Sequence, residues 1–331
     1  MATRVKPLLR PVAEPIKVFP TGATLLDLQN GGGWAIGRMV NIVGDSSSGK
    51  TLLAIEACAN FAHLYGVEGI RYCESEAAFD ESYAAELGLP QGISLVRDIR
   101  TVEAFNDDLS DFLGKLKGPG LYCLDSADAL SDKAESERGI GEATYGTSKA
   151  KAFSEMFRRQ AAEIEKKQCC LIIISQIRDR IGVVFGPSKT RSGGHALDFY
   201  ASQIVWLHEL GKEKRTITGV ERVVGINVRA ANRKNKLSQP FREVDFLLVF
   251  NYGVDDELSM VNWLKKNKAE ETALTVPLDR YAMAVRRARD ALDRDQLTAY
   301  AGELRDATRA RWMEIENALR PPISKYGIPA R

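Results

Sequence analysis

No run of the sequence approaches the roughly 18 consecutive apolar residues that a membrane-spanning helix needs. Residues 1–17 also lack the continuous apolar segment of a secretory signal, and carry Arg4, Lys6 and Arg10 among prolines instead. Neither membrane insertion nor signal-directed export is expected. An excess of one charge is missing too: 46 Lys and Arg stand against 44 Asp and Glu, a formal net charge of +2. Any surface for a polyanion must therefore be local. The five cysteines, Cys58, Cys73, Cys123, Cys169 and Cys170, lie in apolar runs with neither C-x-x-C spacing nor a histidine cluster. They read as reduced core thiols and suit a cytoplasmic protein. What remains is an ordinary globular composition, 44% hydrophobic and 27% charged over 331 residues. That length suffices for one large α/β domain and a smaller appendage.

The most informative stretch is Gly44-Asp45-Ser46-Ser47-Ser48-Gly49-Lys50-Thr51, which follows the apolar run at 39–43 and precedes Leu52, Leu53, Ile55 and Ala59 at helical spacing. Strand, glycine-rich turn and helix in that order, with G-x-x-x-x-G-K-T spacing, make a phosphate-binding P-loop. Backbone N–H groups wrap the phosphates at the positive end of the helix. Lys50 supplies a point charge for the β- and γ-phosphates, and Thr51 a hydroxyl for Mg²⁺.

Two further strand ends supply carboxylates. The short strand at 70–73 ends in Glu74-Ser75-Glu76, where Glu76 is placed to act as a general base on the γ-phosphate side; solvated loop charges are the alternative. The run at 121–124 ends in Asp125, a carboxylate for the Mg²⁺ hydration shell. The most apolar segment, 169–174, predicts a central parallel strand ending at Ser175-Gln176, and Gln176 is suited to sensing the γ-phosphate. The polar, glycine-punctuated stretch between Ser131 and Lys151 predicts a functional loop. An amphipathic helix follows over about 149–167. A second long loop, 177–191, carries Arg178, Arg180, Phe185, Lys189 and Arg191. Cations with one aromatic suit single-stranded nucleic acid, and an ordinary solvated loop stays open beside that reading. His195, after a glycine pair, reads as a turn or packing residue rather than a catalyst. Runs at 203–207, 222–231 and 243–250 read as strands, the last two antiparallel around the basic Arg233-Lys234-Asn235-Lys236. From about residue 269 the pattern turns helical, 279–292 and 295–319, with arginines that read first as a solvated face and second as DNA contacts. Residues 1–18, with Pro7, Pro11 and Pro15, predict an extended arm that either packs on a neighbour or stays loose.

In order and spacing these motifs resemble the bacterial RecA recombinases and their phage-encoded relatives, over about residues 19–264. The specific pieces are Gly-Asp-Ser-Ser-Ser-Gly-Lys-Thr, Leu-Asp-Ser-Ala-Asp-Ala-Leu at 124–130, Ser-Gln-Ile-Arg-Asp-Arg-Ile-Gly-Val-Val-Phe-Gly at 175–186, Gly-Gly-His-Ala-Leu-Asp-Phe-Tyr-Ala-Ser at 193–202 and Lys-Asn-Lys at 234–236. The resemblance implies an α/β fold of RecA type: a P-loop ATPase core over 19–268 with a twisted, mainly parallel sheet and helices on both faces. It is flanked by the short arm (1–18) and a small helical C-terminal domain (269–331). It implies ATP and Mg²⁺, Glu76 as catalytic base with Lys50 and Gln176 beside it, and Gln176 as the link from nucleotide to loop. It also implies two DNA-binding loops near 137–146 and 177–191, with Phe185 beside the DNA and Lys151 and Arg158 below the loops. Lys234 and Lys236 would reach the ATP of the adjacent subunit, with Phe199 at the subunit interface.

The function so implied is ATP-dependent homologous pairing and strand exchange by a helical filament on single-stranded DNA, with homologous duplex as second partner. It would take place in the bacterial cytosol, or a host's if phage-encoded. A RecA-fold DNA-dependent ATPase that loads, moves or regulates without exchanging strands is the alternative within the fold. A nucleotide-binding assembly protein without turnover is the alternative outside it. Two departures stand out: the arm is shorter and richer in proline than in the relatives, and the tail is basic (Lys325, Arg331).

Overall fold

In the computed structural model of the chain the described residues are 15–76, 80–136, 147–179, 189–191, 194–269 and 274–321; of 136, 147, 178, 179, 189, 190, 194 and 195 only the backbone is described. The first elements are β1 (Val18–Phe19), α1 (Thr24–Asn30), β2 (Trp34–Ala35), β3 (Met39–Gly44), α2 (Lys50–Tyr65), β4 (Ile70–Glu74), α3 (Glu81–Glu86) and β5 (Ser94–Val96). There follow α4 (Val102–Lys115), β6 (Gly120–Asp125), α5 (Lys133–Ser136), α6 (Thr147–Lys166), β7 (Cys169–Asp179), β8 (Lys189–Arg191) and α7 (Gly194–Tyr200). The last are β9 (Gln203–Ile217), β10 (Val220–Asn235), β11 (Glu243–Val249), β12 (Gly253–Asp255), α8 (Asp256–Lys266), α9 (Leu278–Asp290) and α10 (Arg294–Leu319).

One ten-stranded sheet organises the chain, in the order β12-β11-β10-β9-β3-β7-β6-β4-β5, with β8 paired to β7. From β9 to β5 every neighbour is parallel, whereas β9 to β12 run antiparallel. The alternation of side chains along a strand decides what each face buries. Val40 and Ile42 of β3, Leu121 and Cys123 of β6, and Cys170, Ile172 and Ile174 of β7 join the core under α1 and α2. Their sequence neighbours Met39 and Val43, Tyr122 and Leu124, and Cys169, Leu171 and Ile173 join the core under α4, α6 and α7. Because both faces are covered, these strands read as continuous apolar runs. The expected core face of the 149–167 helix holds: Phe153, Met156, Phe157 and Ile164 are buried.

The structure differs from the sequence reading in three places. The 131–151 stretch is not all loop: α5 forms within it and α6 starts at Thr147, while 137–146 lie outside the described residues. The 177–191 segment is a hairpin at its base, because β7 continues past Gln176 and pairs antiparallel with β8, Ile177 opposite Arg191. Residues 180–188, with Arg180 and Phe185, lie outside the described residues. The strand expected at 203–207 runs on to Ile217 and pairs with a β10 that starts at Val220. This ribbon is mostly exposed and polar and is held by backbone pairing and contacts such as Lys214–Glu221 (2.8 Å), so no apolar period betrays it.

At the C-terminal end, α9 and α10 share a core with α8, where Met260, Val261 and Leu264 meet Leu278, Tyr281, Val285 and Leu304. Trp312 of α10 packs on Trp263 (5.8 Å between ring centroids), and Glu316 pairs with Arg242 near the end of the β10–β11 connection. Two arginines from the expected solvated faces turn inward. Arg289 reaches the fully buried Asp255 (2.6 Å) and Glu257 (2.7 Å), and Arg311 donates to the Asn267 carbonyl.

Candidate functional site

The C-terminal edge of the parallel strands is where such sheets bind ligands, and the motif residues gather there. Gly44 ends β3 in register with Gln176 of β7, and Glu74 ends β4 opposite Asp125 of β6. The turn into α2 requires its two glycines. A Cβ on Gly44 would lie 2.3 Å from Ser48 Oγ, and Gly49 has φ +89° with a Cβ position 2.2 Å from Leu248 Cδ1. Asp45, Ser46 and Ser47 are exposed on the open side of the loop. On the inner side the Asp45 carbonyl accepts from Ser48 Oγ (2.8 Å) and Lys50 Nζ (2.6 Å). The Lys50 ammonium is therefore already drawn into the loop's hollow. Burial lowers its pKa, and the nearby Asp125, Glu76, Asp128 and Asp45 pull the other way.

One helical residue on, Thr51 Oγ1 donates to Asp125 Oδ2 (2.7 Å), which also accepts from Tyr72 OH (2.8 Å). Burial raises the Asp125 carboxyl above its usual range, and those two donors oppose the shift. A hydroxyl and a carboxylate side by side are hard oxygen ligands that fit Mg²⁺, whose other positions are commonly water and phosphate. Among the described residues no group of three or more His, Cys, Asp and Glu is placed to hold a metal ion.

Glu76 stands just past β4. Its Oε1 accepts from Gln176 Nε2 (2.9 Å) and from Ser126 Oγ (2.5 Å), so the ends of β4, β6 and β7 are tied through one carboxylate. The Gln176 backbone N–H donates to Asp128 Oδ2 (2.6 Å). The expected grouping of Lys50, Thr51, Glu76, Asp125 and Gln176 is thus one site. Its carboxylate and amide flank the loop where a γ-phosphate would lie.

Tyr83 and Phe250 of the site escaped the sequence reading. A cavity of about 300 Å³ beside residues 47–52 is walled by Tyr83 of α3, Ile226 and Leu248, and Phe250 just after β11. Tyr83 and Phe250 are 40% and 48% exposed, aromatic faces left uncovered beside a phosphate loop. Such a slot is suited to a planar base. Only the closure of the sheet brings residues so distant in sequence together, and no local motif marks them.

Lys234 and Lys236 lie at the other end. Asn235 pairs with Gln203, the residue of β9 opposite Val40 at the start of β3, whereas the P-loop follows Gly44. Four residues of strand, about 13 Å, separate these levels. Lys234 Nζ donates to the carbonyls of Asp198 (2.5 Å) and Phe199 (2.9 Å) at the end of α7, and the Phe199 ring is 71% exposed beside it. A chain's own Lys234 and Lys236 thus lie at the end of the sheet opposite its own P-loop.

Of the residues expected to meet DNA, Lys151 and Arg158 are exposed on α6, two turns apart. Arg178 and Lys189 sit on β7 and β8, with backbone alone described. Arg191, expected to meet DNA, is placed inward. It is 7% exposed, and its guanidinium donates to Asn41 of β3 and pairs with Asp198 of α7. Asn41 in turn donates to Ser175 Oγ (2.9 Å), next to Gln176. The antiparallel pairing of β8 turns this side chain inward, so its charge is committed within the chain.

A family model described as the RecA N-terminal domain matches residues 5–255, starting inside the arm. A protein named RecA 2 from Myxococcus xanthus is 35% identical over 253 residues, 76% of this chain and 68% of that protein. Protein RecA of Legionella pneumophila is 34% identical over 252 residues, 76% of this chain and 70% of its own. Protein RecA of Bordetella avium is 32% identical over 322 residues, 97% of this chain and 85% of its own. In that last case the similarity reaches past residue 264 and into the C-terminal helices.

Proposed function

The chain belongs to the RecA family of recombinases, and from that premise we propose that it hydrolyses ATP in filaments on single-stranded DNA and uses them for homologous pairing and strand exchange. The observation that carries this reading is the meeting of Lys50, Thr51, Asp125, Glu76 and Gln176 at one sheet edge. Backbone N–H groups of residues 45–50 and Lys50 would bind the phosphates, and the slot between Tyr83 and Phe250 the base. Thr51 and Asp125 would hold Mg²⁺, which when bound offsets charge on the phosphate oxygens. Glu76 orients the attacking water and takes its proton. Gln176 exchanges its bond to Glu76 for one to the γ-phosphate. Because β7 runs on from Gln176 into the hairpin with β8, that exchange is passed to the segment carrying Arg178, Arg180, Phe185 and Lys189. The DNA-contacting set proposed is those four with Lys151 and Arg158. Their phosphate contacts make binding salt-dependent.

The opposite placement of Lys234 and Lys236 supports a head-to-tail assembly in which they complete the ATP site of the next protomer, with Phe199 at the interface. The domain limits proposed are 1–18, 19–268 and 269–331. A cytoplasmic setting suits the reduced thiols; among the described residues no helix is long and apolar enough to cross a membrane.

The experiment is DNA-stimulated ATP hydrolysis by K50A, by K234A/K236A and by their equimolar mixture. Each variant alone should stay at background. In the mixture about a quarter of the interfaces pair an intact P-loop with intact lysines and restore about that share of the wild-type rate. A mixture no more active than its components would contradict the shared site.

A further inference from the structure

Ser126, which follows Asp125, has no part in the phosphate or metal chemistry above, yet it is completely buried at the centre of the site. Its hydroxyl donates to Glu76 Oε1 at 2.5 Å. Its backbone is held in turn by Ser75: the Ser75 hydroxyl donates to the Ser126 carbonyl (2.8 Å) and accepts from the Ser126 N–H (2.9 Å). Ser75 is itself fixed, its N–H to the Asp125 carbonyl (2.8 Å) and its carbonyl to Arg100 Nη1 (3.1 Å). A buried donor anchored on both sides thus points at an exposed carboxylate. Gln176, the other described donor to Glu76, reaches the same oxygen.

We propose that Ser126 is a positioning residue that determines which oxygen of Glu76 acts as the base. This rests on the reading of Glu76 as the group that takes the water's proton. With Oε1 held by Ser126, Oε2 is the oxygen that receives the proton, and Ser126 keeps its own hydrogen throughout. When Gln176 turns to the γ-phosphate, Glu76 loses one of its two described donors. Ser126 then keeps the carboxylate in place rather than letting it swing toward the Lys50 ammonium. The departure of Gln176 thus senses the γ-phosphate and leaves Oε1 to Ser126. Ser126 is the donor that stays.

The test measures DNA-stimulated kcat and KM for S126A and S126C, with E76Q in parallel. S126A removes one hydroxyl and leaves both backbone bonds to Ser75. It should lower kcat at pH 7 about tenfold and leave KM within about twofold, and S126C, whose thiol is a weak donor, should fall between S126A and the wild type in kcat at the same KM. Should S126A fail to fold, a lowered kcat at unchanged KM in S126C carries the test. An unchanged kcat, or a fall in kcat together with a rise in KM, overturns the proposal. An inactive E76Q beside a wild-type-like S126A sinks this proposal alone. An E76Q that still hydrolyses ATP at the wild-type rate overturns the reading of Glu76 as base.

Discussion

Asp27 sits in the first turn of α1, its Oδ1 accepting from the Thr21 N–H (2.7 Å), and burial raises its pKa from 3.8 to about 7. Asp256 adds to that shift and Arg309 opposes it. A carboxyl whose folded pKa lies above its unfolded one stabilises the fold fully below about pH 4, and the contribution disappears as pH rises through 7. The Tm should therefore fall between pH 4 and 8. D27N keeps the acceptor for Thr21 without the charge. It should flatten that slope and raise the Tm at pH 8 by about 5 °C, with little change at pH 4. Thermal melts across that range check it, and an unchanged slope would place the titration elsewhere. Single-residue chemistry of this kind was only partly legible in the sequence. Lys50, Thr51 and Asp125 declare themselves because a P-loop and a strand end are local patterns. Tyr83, Phe250 and Ser126 do not, because their meaning depends on which strand ends adjoin.

At the scale of elements, β7 is the informative case. Its apolar first half announces a central strand, but the continuation through Ile177 into pairing with β8 is driven by backbone hydrogen bonds and by the inward turn of Arg191, which composition cannot reveal. An arginine beside arginine and lysine in a glycine-bounded segment looks like a DNA contact. In the fold its guanidinium joins β8 to β3 and α7 through Asn41 and Asp198. R191A leaves the buried Asn41 oxygen without that donor and Asp198 without its cation. We expect a stability loss of about 3 kcal/mol in urea titrations. The slope of log affinity for single-stranded DNA against log salt should stay as in the wild type. A slope smaller by about 0.7, with stability intact, would return Arg191 to the DNA surface. The β9–β10 ribbon is the other element hidden from the sequence, since its alternating charges carry no apolar period.

For the whole molecule, the sheet is both scaffold and divider: the P-loop, Glu76 and Gln176 stand at one end of the parallel strands, and Lys234, Lys236 and Phe199 stand near the other. The two-ended layout is the basis of the proposed head-to-tail repeat, in which each copy would close the nucleotide site of the next and turnover would loosen the contact that holds the DNA. Hydrolysis without pairing would suit a motor or loader, so the deciding measurement is joint-molecule formation between single-stranded DNA and duplex, with ATP and Mg²⁺. We predict joint molecules with homologous duplex, none with heterologous duplex, and none from K50A. DNA-stimulated hydrolysis that yields no joint molecules with homologous duplex would contradict the account.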